Sequence, residues 1–448
     1  MGAVAAQEPV SRAPDTAAFD VWYYGNASRQ WRLVGVLLVV TSLGAVDRQV
    51  ITLLINPIRE TLRITDIEVS LVVGAAFAVS NTLFTLPAGY YSDRISRRGL
   101  IACGTLVWSF FTMTCGTAAS FVRLFLCRVG VGFGESIIQP CALSMLSAAL
   151  SPERRGRGFA VQSMGLMGGS ALALMIGGLA VGAIERAHLN TLPLFGPVQP
   201  WQTTLILVGL LGLPIPALLL IIREPSRGVH AGGATSLGVR DAARVVLRRS
   251  NVYVPLLVFQ LGMTMLSLGY AAWNAAMIGR TWHLSFQQIG MQVGLLMLVL
   301  PPIGLWAAGH LMDIAAARMG VRGPVWVGLV ATVLVGLAAT AAPLAPSPRF
   351  FWLLFGSLCL VSGTVFPVNA TITASITPAA SMGSISGLQF FLTSLVAAVI
   401  GPTLIAVVAE TLFRGERALA HALSATCCVY SILAVAALGR VYHTIIKT

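Results

Sequence analysis

Charge is what this sequence has least of. Only 10% of its 448 residues are Asp, Glu, Lys or Arg, against 56% hydrophobic residues and a mean hydropathy of +0.83. A soluble domain carries about 25% charged residues, and a chain this poor in them cannot cover itself with polar surface. Lipid must face much of it. Residues 1–30 contain no apolar core followed by a small-residue cleavage site, so no cleavable leader is expected. The seven cysteines (Cys103, Cys115, Cys127, Cys141, Cys359, Cys427, Cys428) form no CxxC pair, and none joins a histidine at metal-ligand spacing. They read as small buried hydrophobes, and neither a metal nor any other cofactor is expected apart from protons as coupling ion. The six histidines are scattered: His188, His230, His283 and His421 near loops, His310 near a helix end, and His443 in the tail. A membrane-embedded enzyme would need a nucleophile–base pair, a metal set or a catalytic histidine at membrane depth, which argues against that class.

What remains is apolar length. A bilayer core about 30 Å thick takes roughly 20 apolar residues per helix. Twelve such runs can be read, at 32–56, 68–92, 99–118, 121–148, 157–184, 201–222, 252–279, 286–312, 324–344, 350–376, 381–409 and 417–440. Their continuity excludes a β-barrel, whose strands alternate over about ten residues. The expected fold is an all-α membrane protein of twelve transmembrane helices in two pseudo-symmetric six-helix bundles, acting as a monomer. The aromatic cluster Phe19, Trp22, Tyr23, Tyr24 and Trp31 before the first run reads as an interfacial belt.

The net charge of +13 is set by topology. Of 29 Lys and Arg, 19 fall on the side shared by both termini and the loops after even-numbered runs, eight fall on the other side, and Arg48 and Arg128 lie inside runs. By the positive-inside rule both termini are cytoplasmic, as in a bacterial inner membrane protein. The basic residues then attract anionic lipid, and no nucleic-acid partner is expected.

The chain divides into a segment 1–30, a bundle 31–223, a linker 224–250, a second bundle 251–442 and a tail 443–448. Within the linker Arg240, Arg244 and Arg248 recur every four residues opposite Val239, Ala243 and Val246, which predicts a short interfacial helix. The halves echo each other. Gly89, Asp93, Arg94, Arg97 and Arg98 follow the second run; Gly309 and Asp313, then Arg318 and Arg322, follow the eighth. Stretches 152–156 and 378–383 repeat similarly before the fifth and eleventh runs. Repeated halves of this kind typify rocking transporters with a site between them near the midplane. Gly89 would allow close helix approach, Asp93 favour a helix N-terminus, and the arginines pair with acids across the cytoplasmic seam.

This pattern resembles the major facilitator superfamily, and the 89–98 stretch is similar to its cytoplasmic gate loop. Four charges lie well inside runs: Asp47 and Arg48 in the first, Arg128 and Glu135 in the fourth. A charge at the bilayer centre costs at least ~2.5–3.5 kcal/mol on insertion scales, so it pairs or faces a wet cavity. Arg128 and Glu135, seven apart, share a helical face, whereas Asp47 and Arg48 point about 100° apart. Formal balance allows a neutral packing network; the functional reading is a site whose carboxylates change proton affinity as arginines move.

Asp47-Arg48 together with the Arg128–Glu135 stretch (glycines at 130, 132 and 134), and the stretches 151–156, 223–228 and Ala272-Trp273, look like the spinster branch of the superfamily. That resemblance implies a proton-coupled carrier of lysolipid- or sphingoid-like amphipaths. Asp47 and Glu135 would be protonation sites, and Arg48 and Arg128 charge partners or headgroup ligands. The first- and fourth-run motifs also occur in the organic anion:cation symporter branch, which leaves an organic-anion or drug transporter as the alternative. Ala45 and Val46 replace the aromatic and Asn that often precede Asp-Arg. Candidate cavity residues are Asn81, Gln139, Gln162, Trp273, Asn274, Phe366, Asn369 and Phe390.

Overall fold

The computed structural model describes residues 22–23, 26–92, 94–150, 152–187, 191–192, 196–226, 239–320, 322–377 and 382–447. Asp93 and the Phe366 side chain, both named above, lie outside the described residues, as do most of 1–30 and the centre of the linker.

The N-terminal half comprises α1 (Ala27–Leu53), α2 (Ile55–Leu62), α3 (Asp66–Ser70), α4 (Phe77–Ser92), α5 (Arg97–Cys115), α6 (Phe121–Ser136), α7 (Ile138–Ala149), α8 (Pro152–Arg186), α9 (Pro200–Gly212) and α10 (Ile215–Leu219). A linker helix α11 (Val239–Arg248) leads into α12 (Ser250–Trp282), α13 (Phe286–Met319), α14 (Arg322–Ala341), α15 (Pro348–Ser362), α16 (Val365–Ile376), α17 (Met382–Thr411) and α18 (Ala418–Lys447). Ten helical stretches among the described residues are long and apolar enough to cross a bilayer. The other two expected spans are helical as well. One is α5, which opens on Arg97 and Arg98; the other is split into α6 and α7 at Ile137 and carries Arg123, Arg128 and Glu135.

Local chemistry sets the helix ends. Asn26, Ser96 and Ser120 cap α1, α5 and α6 by accepting backbone N–H bonds, and Thr65–Glu68 and Ser285–Gln288 form reciprocal capping boxes. Arg63 and His283 take left-handed conformations that stop α2 and α12. Between α8 and α9 sits a hairpin of two-residue strands, Thr191–Leu192 and Gly196–Pro197, with Gly196 at positive φ. It is a small β addition that hydropathy could not register.

The linker helix is present, and it docks on protein: Val246 is buried against Tyr253 of α12 and Ile385 of α17. The two halves meet most closely where α8 crosses α13. A Cβ at Gly290 would collide with the Leu174 carbonyl oxygen, and one at Gly178 would fall 2.5 Å from that of Phe286. Only glycine permits that backbone approach. A second seam joins Gly74 to the Ala398 carbonyl of α17. Both seams lie toward the face opposite the chain ends. At the face carrying the chain ends, a Cβ placed on Gly89 or Gly309 would meet nothing within 4 Å, so the close approach expected at Gly89 is absent. The close backbone approaches between the halves at Gly178, Gly290 and Gly74 thus fall at the face opposite the chain ends.

Candidate functional site: buried ion pairs beside a central cavity

The four charges expected at membrane depth come together as two ion pairs. Arg128 Nη1 lies 3.4 Å from Asp47 Oδ2, and Thr112 Oγ1 donates to Asp47 Oδ1 at 2.6 Å. Arg48 Nε lies 3.2 Å from Glu135 Oε2. The first pair is sealed, with both side chains at most 2% exposed, whereas Arg48 keeps 35% of its side chain accessible. The 100° offset between Asp47 and Arg48 accounts for the split, since neighbours on one helix must serve different partners. Phe77 links the pairs: its ring centroid is 5.2 Å from the Arg128 guanidinium carbon and 5.6 Å from that of Arg48. It follows a π-helical turn, Leu71–Ala76, whose wider winding brings the ring under both arginines.

Glycines make this proximity possible. A Cβ at Gly132 would lie 2.5 Å from the Phe77 carbonyl oxygen, and Cβ atoms at Gly130 and Gly134 would strike Phe111 and the Trp108 backbone. Gly130 and Gly134 thus admit α5, and Gly132 admits α4. Asn81 and Gln139 line a small cavity with Arg48 and Glu135, and Asn81 Nδ2 donates to the Gly132 carbonyl at 3.3 Å.

A larger cavity of about 370 Å³ lies between the halves. The N-terminal half contributes Gln49, Thr52 and Leu174; the remaining wall comes from the C-terminal half and includes Asn274, Asn369 and Phe390. No charged side chain among the described residues lines it. Gln162 and Trp273 are placed elsewhere. Gln162 bonds Thr41 and the Leu37 carbonyl between α8 and α1, and Trp273 Nε1 donates to the Pro402 carbonyl at 2.9 Å. Both pack between helices, with Gln162 Nε2 and Trp273 Nε1 each donating to a neighbouring helix.

At the face opposite the chain ends a third cluster bridges the halves. Arg280, at the end of α12, holds Asp66 in a bidentate pair (Nη1–Oδ2 2.7 Å, Nη2–Oδ1 2.8 Å) and donates from Nε to Asn56 Oδ1 at 2.8 Å. Arg59 adds a contact to Asp66 at 3.1 Å. Glu410 of α17 reaches back across the seam, accepting from the Asp66 backbone N–H at 2.6 Å and from that of Ile67 at 3.2 Å. These residues border a polar vestibule of about 670 Å³.

Residues 37–402 match the family model described as Major Facilitator Superfamily. The chain belongs to the Major Facilitator Superfamily. A crystal structure of a bacterial homologue of the human lysosomal transporter Spinster, inward-facing and unoccupied, superposes with a TM-score of 0.79 at 22% identity, covering 94% of this chain and 99% of that one. The occupied form of a homologue so described gives 0.78 at 20% identity, covering 95% and 98%. In sequence, an MFS-type efflux pump of Mycolicibacterium smegmatis is 25% identical over 88% of both chains. Protein spinster of Drosophila melanogaster is 26% identical over 59% of this chain and 40% of its own.

In this facilitator Arg97 and Arg98 of the gate loop bond to the chain around and just after α10. Arg97 is buried and bonds Glu224 (Nε–Oε1 3.3 Å), Ser144 and the Pro225 carbonyl, while Arg98 Nη1 donates to the Ile222 carbonyl at 3.1 Å. Arg94 lies over the Tyr90 ring at 3.4 Å, and Asp313 is exposed. Arg97 thus finds its acid at the first residue of the linker. Burial disfavours the Glu224 charge, but hydrogen bonds from Ser96 and Arg97 outweigh it and hold the carboxyl below its ordinary value of 4.5. A depressed acid stabilises the fold above its unfolded value, and that stability is lost as pH falls through the folded value. Glu224→Gln is therefore expected to lower the thermal midpoint in detergent by about 2–4 °C at pH 7, with the gap to wild type closing as pH falls below the ordinary value of 4.5 and through the lowered one.

Sequence reasoning missed Asp66, Arg280 and Glu410. Each stands at the end of a span, where a charge is ordinarily a solvated interfacial residue. Formal complementarity between an acid before the second run and an arginine after the seventh was the one available signal.

Proposed function

We propose that this chain is a proton-coupled secondary active transporter that moves a lysolipid- or sphingoid-like amphipath by alternating access. It works as a monomer in a bacterial inner membrane with both chain ends in the cytoplasm. The observation that carries this reading is the pairing of two buried carboxylate–arginine pairs in one half with an uncharged, mostly apolar cavity wall in the other. Asp47 and Glu135 would hold protons, with Arg128 and Arg48 setting their affinity as the halves move. The apolar wall would take the hydrocarbon part of the substrate. The likeness to a bacterial homologue of Spinster supports the transporter fold on which this reading rests. A second reading, proton-coupled export of an organic anion or drug, is favoured by the efflux pump that aligns with 88% of the chain.

Reconstituted protein assayed with labelled lysolipids, sphingoid bases and small organic anions under an imposed proton gradient tests both. Gradient-dependent flux of the amphipaths is expected, falling at least about tenfold in a folded Glu135→Gln variant. Flux of equal size with and without the gradient would remove the coupling. Gradient-driven flux confined to the small organic anions would replace the first reading with the second.

A further inference from the structure

The Phe77 ring meets both arginines of the buried cluster, at 5.2 Å from the Arg128 guanidinium carbon and 5.6 Å from that of Arg48. Both distances fall inside the roughly 6 Å over which an aromatic face attracts a cation. Arg128 depends on the ring most. Its side chain is 2% exposed, its Nε has no hydrogen-bond partner among the described residues, and its contact to Asp47 is 3.4 Å long. The ring is firmly mounted. Phe77 is buried, and a Cβ on Gly132 would fall 2.5 Å from its carbonyl oxygen. It is the first residue after the π turn Leu71–Ala76, and that turn is tied to α17. A Cβ on Gly74 would lie 2.7 Å from the Ala398 carbonyl oxygen, and just before the turn Ser70 Oγ stands 3.2 Å from Thr403 Oγ1. Such π turns are frequent at functional sites.

We propose that Phe77 is a positioning residue for proton uptake: its π face is the second partner of Arg128 and Arg48, holding the guanidiniums in place when Asp47 or Glu135 takes up a proton. This rests on reading the two carboxylates as the proton carriers.

What decides the role is the charge that a protonated acid leaves behind. An ionised carboxylate neutralises its arginine, and the ring then adds little. Once the acid is neutral the guanidinium keeps its full charge, since arginine does not deprotonate in proteins. A buried charge that has lost its counter-ion is strongly disfavoured, which by itself would keep Asp47 ionised and the site inert. A cation–π contact is strongest where the cation is desolvated, so the ring contributes most when the acid has lost its charge. The ring therefore favours the proton-loaded form.

Among the described residues, the charged groups acting on the two carboxylates are Arg48, Arg128 and, at Glu135, the charge of Asp47. From α5 the Thr112 hydroxyl and the Cys115 thiol face Asp47. From α4 and α7 uncharged Asn81 and Gln139 stand beside Arg48 and Glu135 in the small cavity. Those amides, and the 35% of its side chain that stays accessible, give Arg48 other means of solvation. Arg128 has the ring.

Fluorination of the ring tests this, because fluorine withdraws electron density from the π face while barely changing its shape, and a steric role would not follow it. The 4-fluoro, 3,5-difluoro and 3,4,5-trifluoro forms of phenylalanine are placed at position 77 of the full chain in nanodiscs. Phe77→Leu removes the ring and Phe77→Tyr keeps it; thermal midpoints check folding. The infrared stretch of the protonated carboxyls, assigned with Glu135→Gln and the Asp47→Asn/Arg128→Gln double variant, gives the midpoint of proton uptake. That midpoint is expected to fall stepwise with each added fluorine. In Phe77→Leu it should lie about one pH unit below wild type, an about tenfold loss of proton affinity. Phe77→Tyr is expected to hold the wild-type midpoint. A midpoint unmoved by fluorination, or lowered equally by Tyr and Leu, would overturn the proposal. Flux under an imposed gradient is measured in parallel. A midpoint that follows fluorination in a protein whose flux ignores the gradient would remove the coupling and leave the role of Phe77 standing; gradient-driven flux with a fixed midpoint would remove that role alone.

Discussion

Asp47→Asn is expected to destabilise the protein by ~3–5 kcal/mol and to abolish gradient-driven flux, while Asp47→Asn combined with Arg128→Gln recovers most of the stability and none of the flux. The first loss is electrostatic. Arg128 is 1% exposed, and its charge at that depth is answered by Asp47. Leaving the guanidinium buried without its counter-ion incurs a desolvation cost that Thr112, which donates to Asp47, cannot offset. Removing both charges leaves two neutral side chains and removes the penalty. Thermal or denaturant unfolding in detergent, read as a double-mutant cycle, measures the coupling between the two sites. Flux across an imposed gradient then separates two roles. A purely structural pair would restore transport along with stability; a proton carrier would not. Glu135→Gln supplies the contrast. Its partner Arg48 is partly accessible to the cavity, so the freed charge can be hydrated and the stability cost is expected to stay near ~1 kcal/mol.

Arg280→Gln is expected to release the closed face. Arg280 makes three bonds across the seam, two to Asp66 and one to Asn56, all at 2.7 to 2.8 Å. Bonds to charged groups contribute about 1.5–3 kcal/mol each when buried; partial exposure at this face reduces that sum. Losing the set should shift the balance between closed and open forms by about ten- to a hundredfold. Nitroxides at Arg63→Cys and Arg417→Cys, in a background where exposed Cys103 is serine, report the separation across this face by electron–electron distance measurement. A broad, longer distance population is expected in Arg280→Gln and in Asp66→Asn. Distance distributions that match the parent protein would show that the glycine seams alone hold the face closed. Glu410→Gln, which keeps an acceptor for the Asp66 and Ile67 amides, should shift the balance less.

Much of this architecture was readable in the linear chain because hydropathy and charge are local quantities. Every expected apolar run corresponds to helix, and Asp47, Arg48, Arg128 and Glu135 stood out because charge at membrane depth is rare. The splits at Ile137, at Leu213–Pro214 and at Gly363–Thr364 were not readable, since a short break leaves hydropathy unchanged. Partner choice was harder still. Arg97 could have joined any nearby acid, and only the packing of α5 against the chain after α10 selects Glu224. Trp273 and Gln162 show the converse difficulty: a polar group inside a span looks the same in sequence whether it faces a cavity or a neighbouring carbonyl.

The buried cluster is also a statement about membrane voltage. Two carboxylates and two guanidiniums sum to zero, so with all four ionised the N-terminal half turns in the field without electrical work. Each proton taken up adds one elementary charge, worth up to about 2.3 kcal/mol per 100 mV if carried across the whole potential. In the proposed cycle an inside-negative membrane would therefore pull the loaded form toward the cytoplasm and leave the return of the unloaded form indifferent to voltage. If the proposed proton coupling holds, the pairing of charges would thus give the cycle its electrical direction as well as its chemistry.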